Sequence, residues 1–328
     1  MLIRLFKSGH LIHSISIIIF AIVLWLPLII QPQEYGFNDL SAPLYELFLF
    51  IVGINPIING VISLVLIIIT ALILNSLVTN YNISPKTSLL GFFFLIFFTF
   101  ANTGNIESNR FLIINLLFIL ALSELFSLIK IEFTLAPLYN ASLLLGIASM
   151  FYFPLIIMLV FLWSVLLVLR INKWREYIVS AIGMGLPFFF IFCWYYYFDK
   201  SEIFINSIVS SFYFEFSFAD FSFLNLLILM LLAGILLPGF FYQINTLFEK
   251  NIALRQRLTI NIWLFVFSLA VVILDFKTSN SMVLLSIPSA IILTNISSNI
   301  KKIKWVDIYV SLLFLLIIIN QYSRFFNA

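Results

Sequence analysis

The chain has 328 residues, 63% of them hydrophobic, 18% aromatic and only 9% charged, with a net charge of +3. Soluble domains carry roughly 25% charged residues, so a water-soluble fold could not hide this much apolar surface, and lipid must be the solvent. There is no basic arm with interleaved aromatic residues, which argues against a nucleic-acid partner. The single cysteine, Cys193, excludes an internal disulfide and a multi-cysteine metal cluster. It lies in an apolar run and is expected to be a buried, inert thiol.

A span needs about 20 apolar residues, fewer where the bilayer adapts. That window predicts spans near residues 10–30, 57–78, 87–102, 111–129, 134–151, 154–169, 177–197, 223–244, 261–276, 281–298 and 305–322, eleven in all. The expected fold is all-α: one transmembrane domain over 1–328, built as a polytopic helix bundle. The basic N-terminus precedes a run followed by Trp25, Pro27 and Pro32 rather than by small residues, so it reads as a retained first span.

Lys and Arg collect on the cytoplasmic side of membrane proteins. With the N-terminus inside, Arg4, Lys7, Lys86, Lys130, Arg170, Lys173, Arg175, Lys250, Arg255, Arg257, Lys301, Lys302 and Lys304 fall inside. Only Arg110, Lys200, Lys277 and Arg324 fall outside, 4 of the 17. A wrong span count would scramble this separation, so the pattern predicts eleven spans with the C-terminus outside.

The first outer loop, 31–56, carries Glu34 and Asp39. Ser41 is placed to cap a short helix with Pro43 in its first turn and Glu46 near its start. Leu44, Leu47, Phe48 and Ile51 give that helix an apolar face, and it is too short to span, so it is expected at the interface. A segment over 44–54 that enters the bilayer and returns is the alternative.

A carboxyl inside a spanning helix costs about 2.5–3.5 kcal/mol on insertion scales. Glu124 stands six residues before Lys130, so it reads as a carboxylate reaching the interface, with a buried functional carboxyl as the alternative. In 134–151, Gly146, Ala148 and Ser149 form a small-residue face for close packing. The chain is expected to turn at Tyr152-Phe153-Pro154 and to be anchored inside by Arg170, Lys173, Trp174 and Arg175. Gly183, Gly185 and Pro187 are expected to loosen the next helix, Pro238 to break the eighth span and Pro288 to interrupt the tenth. The 198–222 outer loop is expected to hold a further short interfacial helix. Its Phe212, Phe214, Phe216 and Phe218 alternate, which predicts an extended stretch resting in the interface or lining a groove for an acyl or polyprenyl chain. The charged stretch 249–257 is expected along the cytoplasmic surface.

No glycine-rich phosphate loop, HExxH or GxSxG motif is present, and His10 and His13 have no further ligands in sequence reach. Neither a metal site nor a cofactor is predicted. What remains is a set of outer charges. Asp39 or Glu34 could act as general base toward an acceptor hydroxyl. Lys200, Arg110, Lys277 or Arg324 could hold a lipid phosphate by charge-assisted hydrogen bonds. For each of them a solvated loop charge is the plainer reading.

The stretch NASLLLGIASMFYFPLIIMLVFLWSVLLVL, then RINKWREYIVSAIGMGLPFFF, resembles the middle spans of GT-C type glycosyltransferases, multi-span enzymes that use polyprenyl-phosphate sugars. The resemblance covers the layout of residues 1–200, leaving 201–328 as additional spans. It implies a catalytic acid soon after the first span, where Asp39 is the first candidate and Glu34 the second, and a polyprenyl-phosphate sugar as partner. The first outer loop has no paired-acid motif, so a GT-C scaffold serving as a non-catalytic subunit beside other envelope membrane proteins is the alternative. A small-molecule or lipid transporter is the third. The whole chain also resembles a bacterial multi-pass inner-membrane family of similar length, which supplies the expected location but no function.

Overall fold

In lipid no water is at hand to bond backbone amides, so long apolar runs must satisfy them internally, as helices do. The structure, a computed structural model, describes residue 6 and residues 11–30, 42–53, 55–102, 109–129, 134–212, 223–274, 279–299 and 303–326. Among these the chain is all-α. The helices are α1 (Leu11–Ile30), α2 (Pro43–Val52), α3 (Pro56–Asn80), α4 (Leu90–Asn102), α5 (Asn109–Ser127), α6 (Leu135–Phe151) and α7 (Met158–Leu169). They continue with α8 (Trp174–Tyr197), α9 (Ser201–Ser210), α10 (Phe223–Thr246), α11 (Ile252–Leu274), α12 (Ser286–Asn299) and α13 (Ile303–Phe326). Short 3-10 segments precede α7 (Phe153–Ile157), α11 (Leu247–Glu249) and α12 (Ser279–Leu285).

Each of the eleven apolar segments is helical. By length and composition, 6 helices among the described residues can cross a membrane: Ile57–Asn80, Asn109–Ser127, Trp174–Tyr197, Leu224–Glu249, Ile252–Leu274 and Ser281–Asn299. The protein is therefore a multi-pass membrane protein that lives in a lipid bilayer.

Two helices form the centre. In α4 every residue from Leu90 to Phe100 is buried, including Phe92, Phe93, Phe94, Phe97, Phe98 and Phe100. In α12 the residues from Ser286 to Ser297 are all buried. A helix buried on every side lies against protein, not lipid. The two pack on each other, with α3 also on α4 and α10 and α11 also on α12. The outer helices turn apolar side chains outward: α8 exposes Phe189, Phe190 and Trp194. Cys193 is exposed on this helix as well. The expected buried thiol is thus corrected, because an apolar run in a membrane protein has a lipid-facing side.

The helix ends sort into two sets. At one end Trp25 Nε1 donates to the Gly60 carbonyl at 2.6 Å, Asn109 Nδ2 to the Asn59 carbonyl at 3.3 Å and Gln321 Nε2 to the Phe100 carbonyl at 3.3 Å. Asn320 bonds Asn225 there at 2.8 Å. At the other end the Leu89 amide donates to the Phe6 carbonyl at 2.9 Å and Tyr81 Oη to the Ser123 carbonyl at 3.3 Å. Thr134 Oγ1 donates to Glu176 Oε1 at 3.1 Å, and Arg257 Nη1 to the Tyr81 carbonyl at 3.3 Å. The second set holds Lys86, Arg170, Lys173, Lys250 and Arg255 and is called the basic end; the first holds Glu46, Asp199 and Glu202 and is called the far end.

Helices α6 and α8 run parallel, since Thr134 meets Glu176 at their starts and Phe153, just past the end of α6, meets Phe188 in the second half of α8, with ring centroids 6.2 Å apart. The chain between them, 153–169, must return through the same thickness. Glycine sets the closeness of the pair. A Cβ on Gly146 would lie 2.7 Å from the Met184 carbonyl oxygen and 3.1 Å from Pro187 Cγ. A Cβ on Gly183 would lie 3.1 Å from both Ser142 Cβ and the Tyr139 carbonyl oxygen, and would strike Ser142 Oγ.

Three expected breaks are corrected. Helix α8 runs unbroken through Gly183, Gly185 and Pro187, and Gly183 and Pro187 serve contact with α6 instead of turning the chain. Helix α10 runs through Pro238. Pro288 is the third residue of α12, where a missing amide proton is tolerated, so it starts the helix after a 3-10 approach. The short helix expected near Pro43 forms, but its cap is Ala42, with no side-chain capping bond. Ser41 and the row Phe214, Phe216 and Phe218 lie outside the described residues.

Gly183→Leu must force α6 and α8 apart and is expected to cost at least the roughly 1–3 kcal/mol of an overpacked site. Gly185, whose Cβ would meet nothing within 4 Å, is the control. Thermal unfolding in detergent should show a lower midpoint for Gly183→Leu and little change for Gly185→Leu. Equal midpoints would contradict the close packing.

Candidate functional site

The far end carries a guanidinium held among rings. Arg110 is the second residue of α5. Its Cζ stands 4.9 Å from the centroid of Phe111, 5.3 Å from that of Tyr152 and 5.6 Å from that of Tyr45. Each such contact is worth about 0.5–1 kcal/mol when exposed and about 2 when dry. Arg110 is half-buried, and its Nε is buried with no hydrogen-bond partner among the described residues.

Local sequence explains the placement. Gly53 closes α2 with φ of 81°, a conformation few side chains tolerate, and its amide returns to the Leu49 carbonyl. Asn55 Oδ1 then accepts from the Ile57 amide at 3.0 Å and starts α3. Asn59 Nδ2 donates back to the carbonyls of Gly53 at 3.1 Å and Asn55 at 3.2 Å. Asn109 in turn donates to the Asn59 carbonyl, so the residue before Arg110 is tied to the turn that ends α2. Tyr45, in the first turn of α2, is thereby brought against Arg110. Leu44 joins a small cluster of Met150, Phe153 and Phe204 that fixes α2 against α6, α8 and α9. The later turns of α2 expose Phe50 at 90% and Ile51 at 71%, a surface suited to lipid.

A cation in the first turn of a helix opposes the helix dipole, whose N-terminus is already positive. The aromatic faces offset part of that cost. The combined field favours an anion, which could accept hydrogen bonds from the guanidinium.

Of the residues singled out in the sequence, Arg110 lies in a cluster of aromatic rings among the described residues. Lys200 is exposed just before α9; its amide donates to the Tyr195 carbonyl at 2.9 Å, and Tyr195 packs on Phe204. It borders the same corner at Tyr152-Phe153, since Phe204 also meets the Phe153 ring. Arg324 belongs to the last turn of α13, at the far end, but its side chain lies outside the described residues. Asp39, Glu34 and Lys277 lie outside them entirely. Glu124 is half-buried near the end of α5, at the basic end. Among the described residues no group of three or more His, Cys, Asp and Glu side chains could hold a metal.

One charged residue was misread. Arg257 was expected on a surface stretch, but α11 begins at Ile252, nine residues before the predicted span, and Arg257 is buried within it. The apolar window misses this because Arg255, Gln256 and Arg257 depress its average. No family model, curated protein or solved structure matches the chain.

If the ring cluster holds Arg110, its members must be energetically coupled. A double-mutant cycle of Arg110→Met and Tyr152→Leu on thermal stability is expected to give a coupling of about 0.5–2 kcal/mol. Strict additivity would show that Arg110 does not rest on Tyr152.

Proposed function

We propose that this protein crosses the bacterial inner membrane eleven times, with the basic end in the cytoplasm, and binds a polyprenyl-phosphate sugar at the far end as a GT-C-like glycosyltransferase. The observation that carries the reading is the Arg110 cluster beneath α2, an anion-attracting group beside a lipid-exposed amphipathic helix. A lipid-linked phosphate presents just that pair of features, an apolar tail and an oxyanion at the headgroup level.

In this reading Arg110 binds the lipid phosphate, Lys200 adds positive potential, and Asp39, with Glu34 second, takes the proton of the acceptor hydroxyl. Asp39 stands six residues before Tyr45, so chain connectivity alone keeps their Cα atoms within about 20 Å. The sorting of helix ends into a basic and a far set supports the orientation, because cytoplasmic loops carry the excess of Lys and Arg. The alternative is a non-catalytic subunit of an envelope membrane complex. It is favoured by the centre of the bundle, where α4 fills the interior with phenylalanine.

A deletion strain complemented with wild type, Asp39→Asn, Glu34→Gln or Arg110→Lys separates the two readings, with membrane levels checked and surface glycan profiled. The transferase reading expects Asp39→Asn at normal levels with no restored glycan, and Arg110→Lys reduced about tenfold or more because the planar fork is lost. Full restoration by all three variants would remove the transferase reading and leave the subunit.

A further inference from the structure

A second guanidinium, at the opposite end of the bundle, is in a less ordinary state. Arg257 is 4% exposed. It stands five residues into α11, about 7.5 Å along the axis from the helix start. Its Cζ stands 4.6 Å from the Tyr81 ring centroid, and Nη1 donates to the Tyr81 carbonyl at 3.3 Å. That carbonyl follows the last residue of α3, so the cation also meets the negative end of a helix. Tyr81 is itself fixed: its hydroxyl donates to the Ser123 carbonyl, and its ring meets Phe126 edge-on at 5.4 Å.

The remaining edge is unused. Nε and Nη2 are both buried, and neither has a hydrogen-bond partner among the described residues. Together they form the side-on fork of a guanidinium, whose two parallel N–H groups match two oxygens of one carboxylate or phosphate. No ion pair to Arg257 occurs among the described residues. A guanidinium keeps its charge, and a buried charge without a counter-charge is strongly unfavourable. A buried water would fill a donor site but bring no negative charge. Arg255 on the same helix and Lys86 in the turn after Tyr81 add positive potential to this end.

We propose that the side-on edge of Arg257, backed by Tyr81, binds a phosphoryl oxyanion at the basic end of the bundle. The phosphate comes from an anionic phospholipid headgroup or from free phosphate. Carbonyl and ring hold one side of the guanidinium in place, and the fork is thus set before the anion arrives. This site is separate from the Arg110 cluster and does not depend on the transferase reading.

The test uses the full chain purified in detergent, with thermal unfolding followed as short-chain phosphatidylglycerol or inorganic phosphate is titrated in. Wild type is expected to be stabilised in a saturable way. Stabilisation by the lipid alone assigns the site to a headgroup; stabilisation by both assigns it to phosphate from either source. Arg257→Lys keeps the charge and loses the fork, so its apparent affinity should fall about tenfold, and Arg257→Met should abolish the response. No stabilisation of wild type by either probe, or equal responses in wild type and both variants, overturns the proposal. Should the Arg257 variants fail to fold, Tyr81→Leu leaves the charge intact and is expected to weaken the response roughly threefold. An unchanged response in that variant also overturns it.

Discussion

The fold depends on two helices that touch no lipid. Helices α4 and α12 are buried along nearly their whole length, one through phenylalanine and the other through a mixture of isoleucine, leucine, serine and threonine. A helix without a lipid-facing side has no hydrophobic length to match against the bilayer, which is why α4 can be only 13 residues long. Its surroundings are protein, and protein can bond polar groups that lipid cannot. Asn115 Nδ2 of α5 donates to the Val283 carbonyl and to Ser286 Oγ, and Asn261 Nδ2 of α11 donates to the Pro288 carbonyl, both at the start of α12. These amides fix the central helix from two sides where its backbone is not yet fully helical.

The longer helices are then free to meet lipid on one side and the centre on the other. Close approach between them comes from absent side chains. At Gly146 and Gly183 the backbones of α6 and α8 come together as a dry interface, and dispersion replaces the hydrophobic force that lipid does not supply. The same contacts carry the ends into register. That register brings Tyr152 and Phe153 to the corner where Arg110, α2 and α9 meet.

Much of this was legible in residue order. Apolar runs located the eleven helical segments, since a run must form a helix to satisfy its backbone, and the small-residue face at Gly146 was visible as a packing surface. The helix Pro43–Val52 was legible from Pro43 and Glu46. Punctuation was misread, because rules learned in water treat glycine and proline as breaks. In a packed membrane bundle Gly183 is a contact and Pro288 a helix start. Arg257 was invisible for a related reason: a charged residue lowers the local average and reads as loop, whereas here it is carried inside a helix by an aromatic ring and a carbonyl. The ring cluster around Arg110 joins residues 45, 110 and 152, separations at which sequence gives no pairing signal.

The central claim is that alternating helices place all the basic turns on one face and the α2 and α9 corner on the other. Because Cys193 is the sole cysteine, Cys193→Ser gives a cysteine-free background for labelling. Single cysteines at Lys86→Cys, Arg170→Cys, Glu46→Cys and Glu202→Cys would be treated with a membrane-impermeant maleimide in intact spheroplasts and again after disruption. The account predicts labelling of Glu46→Cys and Glu202→Cys in intact spheroplasts, and of Lys86→Cys and Arg170→Cys only after disruption. Labelling of a basic-end cysteine together with a far-end cysteine from the same side would contradict it.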